Sequence, residues 1–421
     1  MNINRIRTIV AAAGPGILVA ATGVGAGDLA TATLTGARLG MAILWAVVIG
    51  AGLKFVLNEG LARWQLATGT TLIEGAFAHL PRWMLSVFFL YLIGWSILVS
   101  VALMSATGVA AHALIPWFED ASEAKKYFGA LHSLVAVVLV WFGGYQLFEK
   151  VMSVCIGVMF VVCCLTAFLL APSLTEIAYG LLVPTIPNFS DSGLSWTIAL
   201  LGGVGGTVTV LCYGYWIREE GRHGVEQIRV CRIDLGIGYA MTAIFGIAMV
   251  IIGSQLGQLS GSGATLVVNI ADLLEERSAL LGPVLRWAFL VGAWGAVFSS
   301  LLGVWQSVPY LFADFAGRYA RTAPNNKPRG RDSETSAVPP GESPVSPGES
   351  LDGETDPERS DSASGRRVDT ASWLYRAALL AIAILPAPGL WIDFSTAMKF
   401  NGLVGAAFIP MLAICLLRLA G

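Results

Sequence analysis

Apolar residues run along this chain in long blocks, each close to the ~20 residues that cross a hydrocarbon core as a helix. The blocks predict about ten transmembrane helices, near 9–32, 40–58, 84–111, 129–148, 151–171, 194–216, 235–256, 284–309, 372–391 and 401–419. Arg5 and Arg7 ahead of an Ala/Val/Ile run resemble the start of a signal peptide. The apolar run continues past residue 28 and no soluble domain follows for export, so a first membrane helix is expected instead. Polar composition takes over from about Arg321 to Thr370, where Pro, Ser, Gly, Asp, Glu and Arg dominate and Pro340-Gly341-Glu342-Ser343 repeats as Pro347-Gly348-Glu349-Ser350. Such a segment buries too little apolar surface to offset its ordering entropy. The expected organisation is a membrane domain over 1–320 carrying helices 1–8, a disordered loop over 321–370, and a membrane domain over 371–421 carrying helices 9 and 10. The loop reads either as a tolerated insertion or as a docking or phosphorylation segment.

Within the first block a single carboxylate, Asp28, follows three glycines at alternate positions, Gly23, Gly25 and Gly27. An ionised side chain at membrane depth costs roughly 2.5–3.5 kcal/mol on the mildest scale and usually faces a cavity, a partner or a transported ion. Each glycine weakens a helix by about 1 kcal/mol relative to alanine, so the cluster invites the helix to open and turn carbonyls toward whatever Asp28 meets. The sixth block repeats the feature: Gly202-Gly203-Val204-Gly205-Gly206-Thr207-Val208-Thr209 interrupts a span five helices after the first. Two broken helices at matching positions in two halves point to a transporter site at the bilayer midplane between inverted repeats. Close helix packing is the competing explanation for the glycines.

Composition fixes the class. Of 421 residues, 55% are hydrophobic and only 13% charged, which excludes an ordinary soluble domain of this size. The net charge of -2 comes with basic residues spread between spans, so no nucleic-acid surface is expected. Arg63, Arg82, Lys150, Arg218, Arg222, Arg229, Arg232, Arg318, Arg321, Lys327, Arg329 and Arg331 fall in one set of loops, and the opposite set holds mainly Arg38, Lys125, Lys126, Arg277 and Lys399. That bias puts both termini in the cytoplasm, and the expected location is a bacterial plasma membrane. The six cysteines lie in or beside apolar stretches, which argues against a disulfide framework or a zinc cluster. Phosphate-binding loops, zinc-protease motifs and nucleophile elbows are missing, so no enzyme is expected.

Gly14-Pro15-Gly16-Ile17-Leu18-Val19-Ala20, the Gly25-to-Asp28 turn, Ala30-Thr31, and Asn58-Glu59-Gly60-Leu61-Ala62-Arg63-Trp64-Gln65-Leu66-Ala67-Thr68-Gly69 resemble the first two spans of the Nramp divalent-metal transporters. The resemblance is strongest over the first 75 or so residues and returns around Gly205 to Tyr213. It implies an all-α polytopic membrane protein of the LeuT and amino acid, polyamine and organocation type, with two inverted five-helix repeats and unwound first and sixth helices. Alternating access between the two bundles would then carry a divalent metal inward.

The departures are specific. The family's Asp-Pro-Gly-Asn turn corresponds to Gly25-Ala26-Gly27-Asp28, which moves the carboxylate from the first position to the fourth, about one helical turn away. The family's Met-Pro-His-Asn corresponds to Thr209-Val210-Leu211-Cys212, without thioether or imidazole. Oxygen ligands favour hard ions such as Mg²⁺ or Mn²⁺, whereas a Cys212 thiolate would favour softer ones unless that cysteine simply packs. The acidic pair associated with proton passage corresponds to Ala102 and Ser105, so coupling by that route is not expected; Asp28, Glu59 and His112 are the replacement candidates. Lys54 and Glu59 fall near the cytoplasmic end of span two, where snorkelling, pairing or capping is the plain expectation. His112 at the outer end of span three reads first as an interfacial histidine, and the run Arg218-Glu219-Glu220-Arg222-His223 as a solvated loop.

The expected site is therefore a metal site and needs no resident cofactor. The Asp28 carboxylate, carbonyls of the Val24, Gly25 and Gly27 turn, and oxygens around Gly205, Gly206, Thr207 and Thr209 would hold a partly hydrated Mg²⁺ or Mn²⁺ as cargo, with Cys212 nearby. The expected partners are the cation and the lipid bilayer, with no requirement for an oligomer. Two alternatives stay open: a transporter of the same fold for an amino acid or other organic substrate, and a non-transporting scaffold that uses the 321–370 loop.

Overall fold

The predicted apolar blocks form helices in the computed structural model, which describes residues 14–170, 173–256, 265–277, 282–322 and 370–420. The expected disorder of the 321–370 segment and its Pro-Gly-Glu-Ser repeat lie almost wholly outside the described residues. The first span is built from α1 (Gly14–Gly23), a π-helical turn (Val24–Thr31) and α2 (Ala32–Leu39). There follow α3 (Leu44–Thr68), a short α4 (Leu72–His79), α5 (Arg82–Leu114), α6 (Ala121–Leu169) and a short α7 (Leu174–Leu182). The sixth span consists of α8 (Leu194–Gly203), a break, a 3₁₀ turn (Val208–Cys212) and α9 (Tyr213–Glu219). The chain continues as α10 (Ile228–Ser254), α11 (Leu266–Arg277), α12 (Gly282–Thr322), α13 (Trp373–Ile384) and α14 (Phe394–Ala420).

Nine stretches among the described residues are long and apolar enough to span a membrane. The difference from ten is one of joining. Residues Gly27–Thr68 run on as one helical stretch that holds the end of span one and all of span two, leaving Gly14–Gly23 as a short apolar helix of its own. Conversely α6 contains two candidate spans, Ala121–Gly143 and Gln146–Leu169.

The π-helical turn lies at the centre of the bundle, packed by α5, α8, α10, α12 and α14. Lipid-facing positions are left apolar on the outside, as with Phe142, Phe168 and Leu417, while polar side chains are turned inward: Asp28, Thr31, Thr33, Lys54, Asn58, Ser299 and Ser300 are all buried. An apolar exterior around a polar interior is the arrangement of a polytopic membrane protein, whose lipid-exposed surface cannot satisfy polar groups.

Candidate functional site

The two breaks have different causes. In the first span, the hydroxyl of Ser300 on α12 accepts the Gly25 N–H at 2.7 Å and donates to the Ala21 carbonyl at 2.7 Å. Ala21 C=O and Gly25 N–H are the pair that an α-helix would join directly, so the serine is inserted into the hydrogen-bond ladder. The helix widens into a π turn at that point and keeps its helical course with no extended segment, so the first span, contrary to expectation, is not unwound. Glycine is required for the insertion, because a Cβ on Gly25 would stand 2.6 Å from the Ser300 Cβ.

The sixth span opens fully. Val204 leaves the helix at φ -58°, ψ 128°, and Gly205 and Gly206 follow at φ 76° and 78°, a region that glycine enters without steric cost. The carbonyls of Gly202 and Val204 thereby lose their helical partners. Both are taken by the Lys54 ammonium of α3, at 2.7 Å to Gly202 O and in a short contact to Val204 O. Gly205 N–H, also freed by the break, donates to Asp28 Oδ1 at 3.2 Å. The spans meet glycine to glycine: a Cβ on Gly23 would lie 2.5 Å from Gly206 N, and Gly27 abuts the Gly203 backbone.

Asp28 is 0% exposed and Lys54 1% exposed, so the site is closed to solvent on every side. Asp28 Oδ2 has no hydrogen-bond partner. Lys54 and Asp28 bring opposite charges to the same break, the ammonium on the Gly202 and Val204 carbonyls and the carboxylate on the Gly205 N–H. Around Gly205 stand Tyr239 and Thr242 of α10, and the Tyr239 hydroxyl accepts from Asn58 Nδ2 at 3.3 Å. Asn58 Oδ1 and Thr242 Oγ1 are buried without partners. One carboxylate, one ammonium and several unpaired neutral oxygens are thus gathered at the break.

The other expected site residues are placed as follows. Val24, Gly25 and Gly27 lie in the π turn, but Gly25 faces Ser300 and Val297 of α12, whereas Asp28 faces Gly205 and Gly246. Three residues along a π turn bring a side chain to a different face, so the shift of the carboxylate is a change of neighbours and not a slide along one face. Thr209 Oγ1 approaches Gly206, while the Thr207 methyl packs toward Gly405 of α14. Cys212 directs Sγ to the Ser307 carbonyl at 3.5 Å. Ala102 and Ser105 are buried in α5, and no carboxylate stands in their place. Among the described residues, no three His, Cys, Asp or Glu side chains cluster as a metal cage.

Three expectations are corrected. Lys54 is mid-helix, because α3 runs on to Thr68, and its ammonium caps the opened end of α8 instead of reaching for the membrane surface. Arg218 is no part of a solvated loop: it is 7% exposed and bonds Glu74 Oε2 at 2.7 Å and the Gly69 carbonyl at 3.0 Å. Arg222 bonds Asp234 Oδ2 at 2.9 Å. Glu59, by contrast, pairs with Arg63 and Arg232, in line with the plain expectation for it.

These ion pairs tie one end of the bundle together. Asp234 of α10 accepts the Gly16 N–H of α1 at 2.8 Å with Oδ1, and the Tyr213 hydroxyl at 3.0 Å with Oδ2, so the start of span one and the second half of span six share one carboxylate. Glu74 completes a capping box with Thr71 at the start of α4 and also takes Arg218 and Arg318. Arg318 returns to Asp314, which accepts the Tyr215 hydroxyl at 2.7 Å. Thr71-Leu72-Ile73-Glu74 carries the capping signature in the sequence, but nothing local there announces the long-range partners.

The natural resistance-associated macrophage protein-like family model matches residues 16–329. No curated protein sequence matches the chain. Among solved structures, the manganese transporter of Eremococcus coleocola, in complex with an aromatic bis-isothiourea substituted compound, is similar over 99% of this chain and 80% of its own, at 16% identity and a TM-score of 0.62. MhsT in complex with L-phenylalanine matches over 95% of this chain and 87% of its own, at 15% identity and a TM-score of 0.56. Mhp1, a nucleobase-cation-symport-1 family transporter, matches over 96% and 77% at 12% identity and a TM-score of 0.56. These likenesses establish a LeuT-type helical fold. With the family model covering residues 16–329, both interruptions included, the chain belongs to the Nramp family.

Proposed function

We propose that the chain is a secondary transporter that moves a hard divalent cation, Mg²⁺ or Mn²⁺, by alternating access through the Asp28 site. The observation that carries this reading is the Asp28 carboxylate, wholly buried between the π turn of the first span and the break in the sixth, with Oδ2 unpartnered. A buried, unmet carboxylate oxygen costs upwards of about 1–3 kcal/mol, and a visiting cation removes that cost. Family membership and the likeness to a manganese transporter support a metal as the visitor. The Cys212 thiol bonds elsewhere, and the unpaired groups near Asp28 are oxygens, which supports a hard ion over a soft one. With the orientation given by the basic residues, the ion-paired end is the cytoplasmic one, and inward release requires the Asp234 and Glu74 ties to part.

A flux assay in proteoliposomes with a panel of divalent cations, run with and without a pH gradient, tests substrate and coupling together. Asp28→Asn is expected to abolish uptake while expression and detergent monodispersity stay normal; unchanged uptake would refute the site. An organic substrate is the second reading, and one observation favours it: Lys54 adds a positive group beside Asp28, so the two together complement a zwitterion. Saturable binding of an amino acid with no response to any divalent ion would decide for it.

A further inference from the structure

We propose that the Lys54 ammonium is a tethered cation occupying the carbonyl side of the cargo site, and that a divalent cation must displace it to be held by both broken spans. The inference rests on the cation-site reading of Asp28 and deepens it. The break in the sixth span releases two carbonyls, Gly202 O and Val204 O, and Nζ bonds both. They are the oxygens a cation would recruit from this span, since the carboxyl end of a half-helix carries partial negative charge.

Lys54 belongs to a face of α3 fitted to this task. One turn before it, Gly50 lets α3 approach the Leu201 backbone, and one turn after it Asn58 reaches Tyr239 with its Oδ1 left unpartnered. A cap alone could be supplied by a neutral donor, without the penalty of several kcal/mol for taking an ion out of water. The charge has a further effect. Asp28 and Lys54 together sum to zero, so a divalent cation beside Asp28 meets an interior that is already neutralised and an ammonium that repels it. Moving Nζ off the two carbonyls frees both oxygens and takes the repelling charge away from the ion. Lys54 is on this account a specificity-determining residue: it weakens the hold on divalent cations, and it satisfies the break when no cargo is present.

The test measures Mn²⁺ binding to the purified full-length protein by isothermal titration. Lys54→Met is expected to tighten Mn²⁺ binding at least tenfold, and Lys54→Gln, which keeps a donor for the carbonyls, to tighten it to a smaller degree. Asp28→Asn is expected to weaken binding at least tenfold. Should Asp28→Asn leave binding unchanged, the cation-site reading fails and takes this inference with it. If Asp28→Asn weakens binding while a folded Lys54→Met binds Mn²⁺ equally or less tightly, the inference alone is overturned. Should neither lysine variant fold, the wild-type structure at saturating Mn²⁺ decides: Nζ withdrawn from Gly202 O and Val204 O supports the displacement, and Nζ still on both refutes it.

Discussion

Replacing Ser300 by alanine removes one oxygen atom from α12 and should loosen a different helix. The hydroxyl accepts from Gly25 N–H and donates to Ala21 C=O, each at 2.7 Å. A buried hydrogen bond contributes about 1 kcal/mol net, so losing the two costs about 2 kcal/mol, and more if both backbone groups stay unmet in the interior. An opening equilibrium changes about 30-fold for 2 kcal/mol. The fitting assay is hydrogen–deuterium exchange in detergent on the peptide covering residues 21–31, where the Gly25 amide should exchange about 30-fold faster in Ser300→Ala than in wild type. Peptides from α7, which packs on α3 and away from α12, should be unaffected. If the variant instead exchanges at the wild-type rate or more slowly, the Ala21 carbonyl and Gly25 amide have joined directly. That result would refute the predicted loosening: the serine would then hold the turn open without being needed to satisfy it.

Gly25→Ala should be disruptive for the complementary reason, since its Cβ would stand 2.6 Å from the Ser300 Cβ and 3.1 Å from the Val297 Cα. Overpacking of this kind costs about 1–3 kcal/mol, and a thermal-unfolding cycle with Ser300→Gly should recover part of it through non-additivity. Cys212→Ser should leave the order of cation preference in the flux panel unchanged, because Sγ bonds the Ser307 carbonyl; a switch in preference would place the thiol in the site after all. Burial by itself would raise the Glu74 carboxyl, but the Arg218 hydrogen bonds and charge, the Thr71 N–H and the Arg318 charge outweigh it and hold the group below its ordinary value. A carboxyl depressed in the folded state contributes stability that is complete above its unfolded value of about 4.3 and is lost as pH falls through the folded one. The Glu74 tie should therefore hold from neutrality down to about pH 4.3 and loosen only below it. Labelling of a cysteine introduced on α4 across that range would show this, and loosening between pH 6 and 7 would contradict it.

Much of the architecture was legible because bilayers impose a simple rule on length and polarity, and the ten blocks needed only that rule. Asp28 and the Gly205-Gly206 pair were legible for a related reason: a charge or a helix-weakening residue at membrane depth is conspicuous. What escaped were contacts that join distant parts of the chain. Ser300 sits in an apolar span where a serine is unremarkable, and its role depends on lying opposite Gly25, 275 positions away. Lys54 was judged by its distance from the end of an apolar block, but the helix continues to Thr68 through residues polar enough to end the block and helical enough to prolong the helix. Asp234 and Glu74 showed charge without showing what would balance it, because Gly16, Arg222, Arg218 and Arg318 come together only when the bundle closes.

The seam between the two broken spans has a practical consequence. Where Gly23 meets Gly205 and Gly206, and Gly27 meets Gly203, main chain rests on main chain with less than a methyl's width between. Parts that slide on bare peptide have no interlocking knobs to unpick, so their motion is cheap, and one added carbon is enough to serve as a doorstop. Gly23→Ala is accordingly the substitution of choice for jamming the two halves apart and holding the molecule still for imaging.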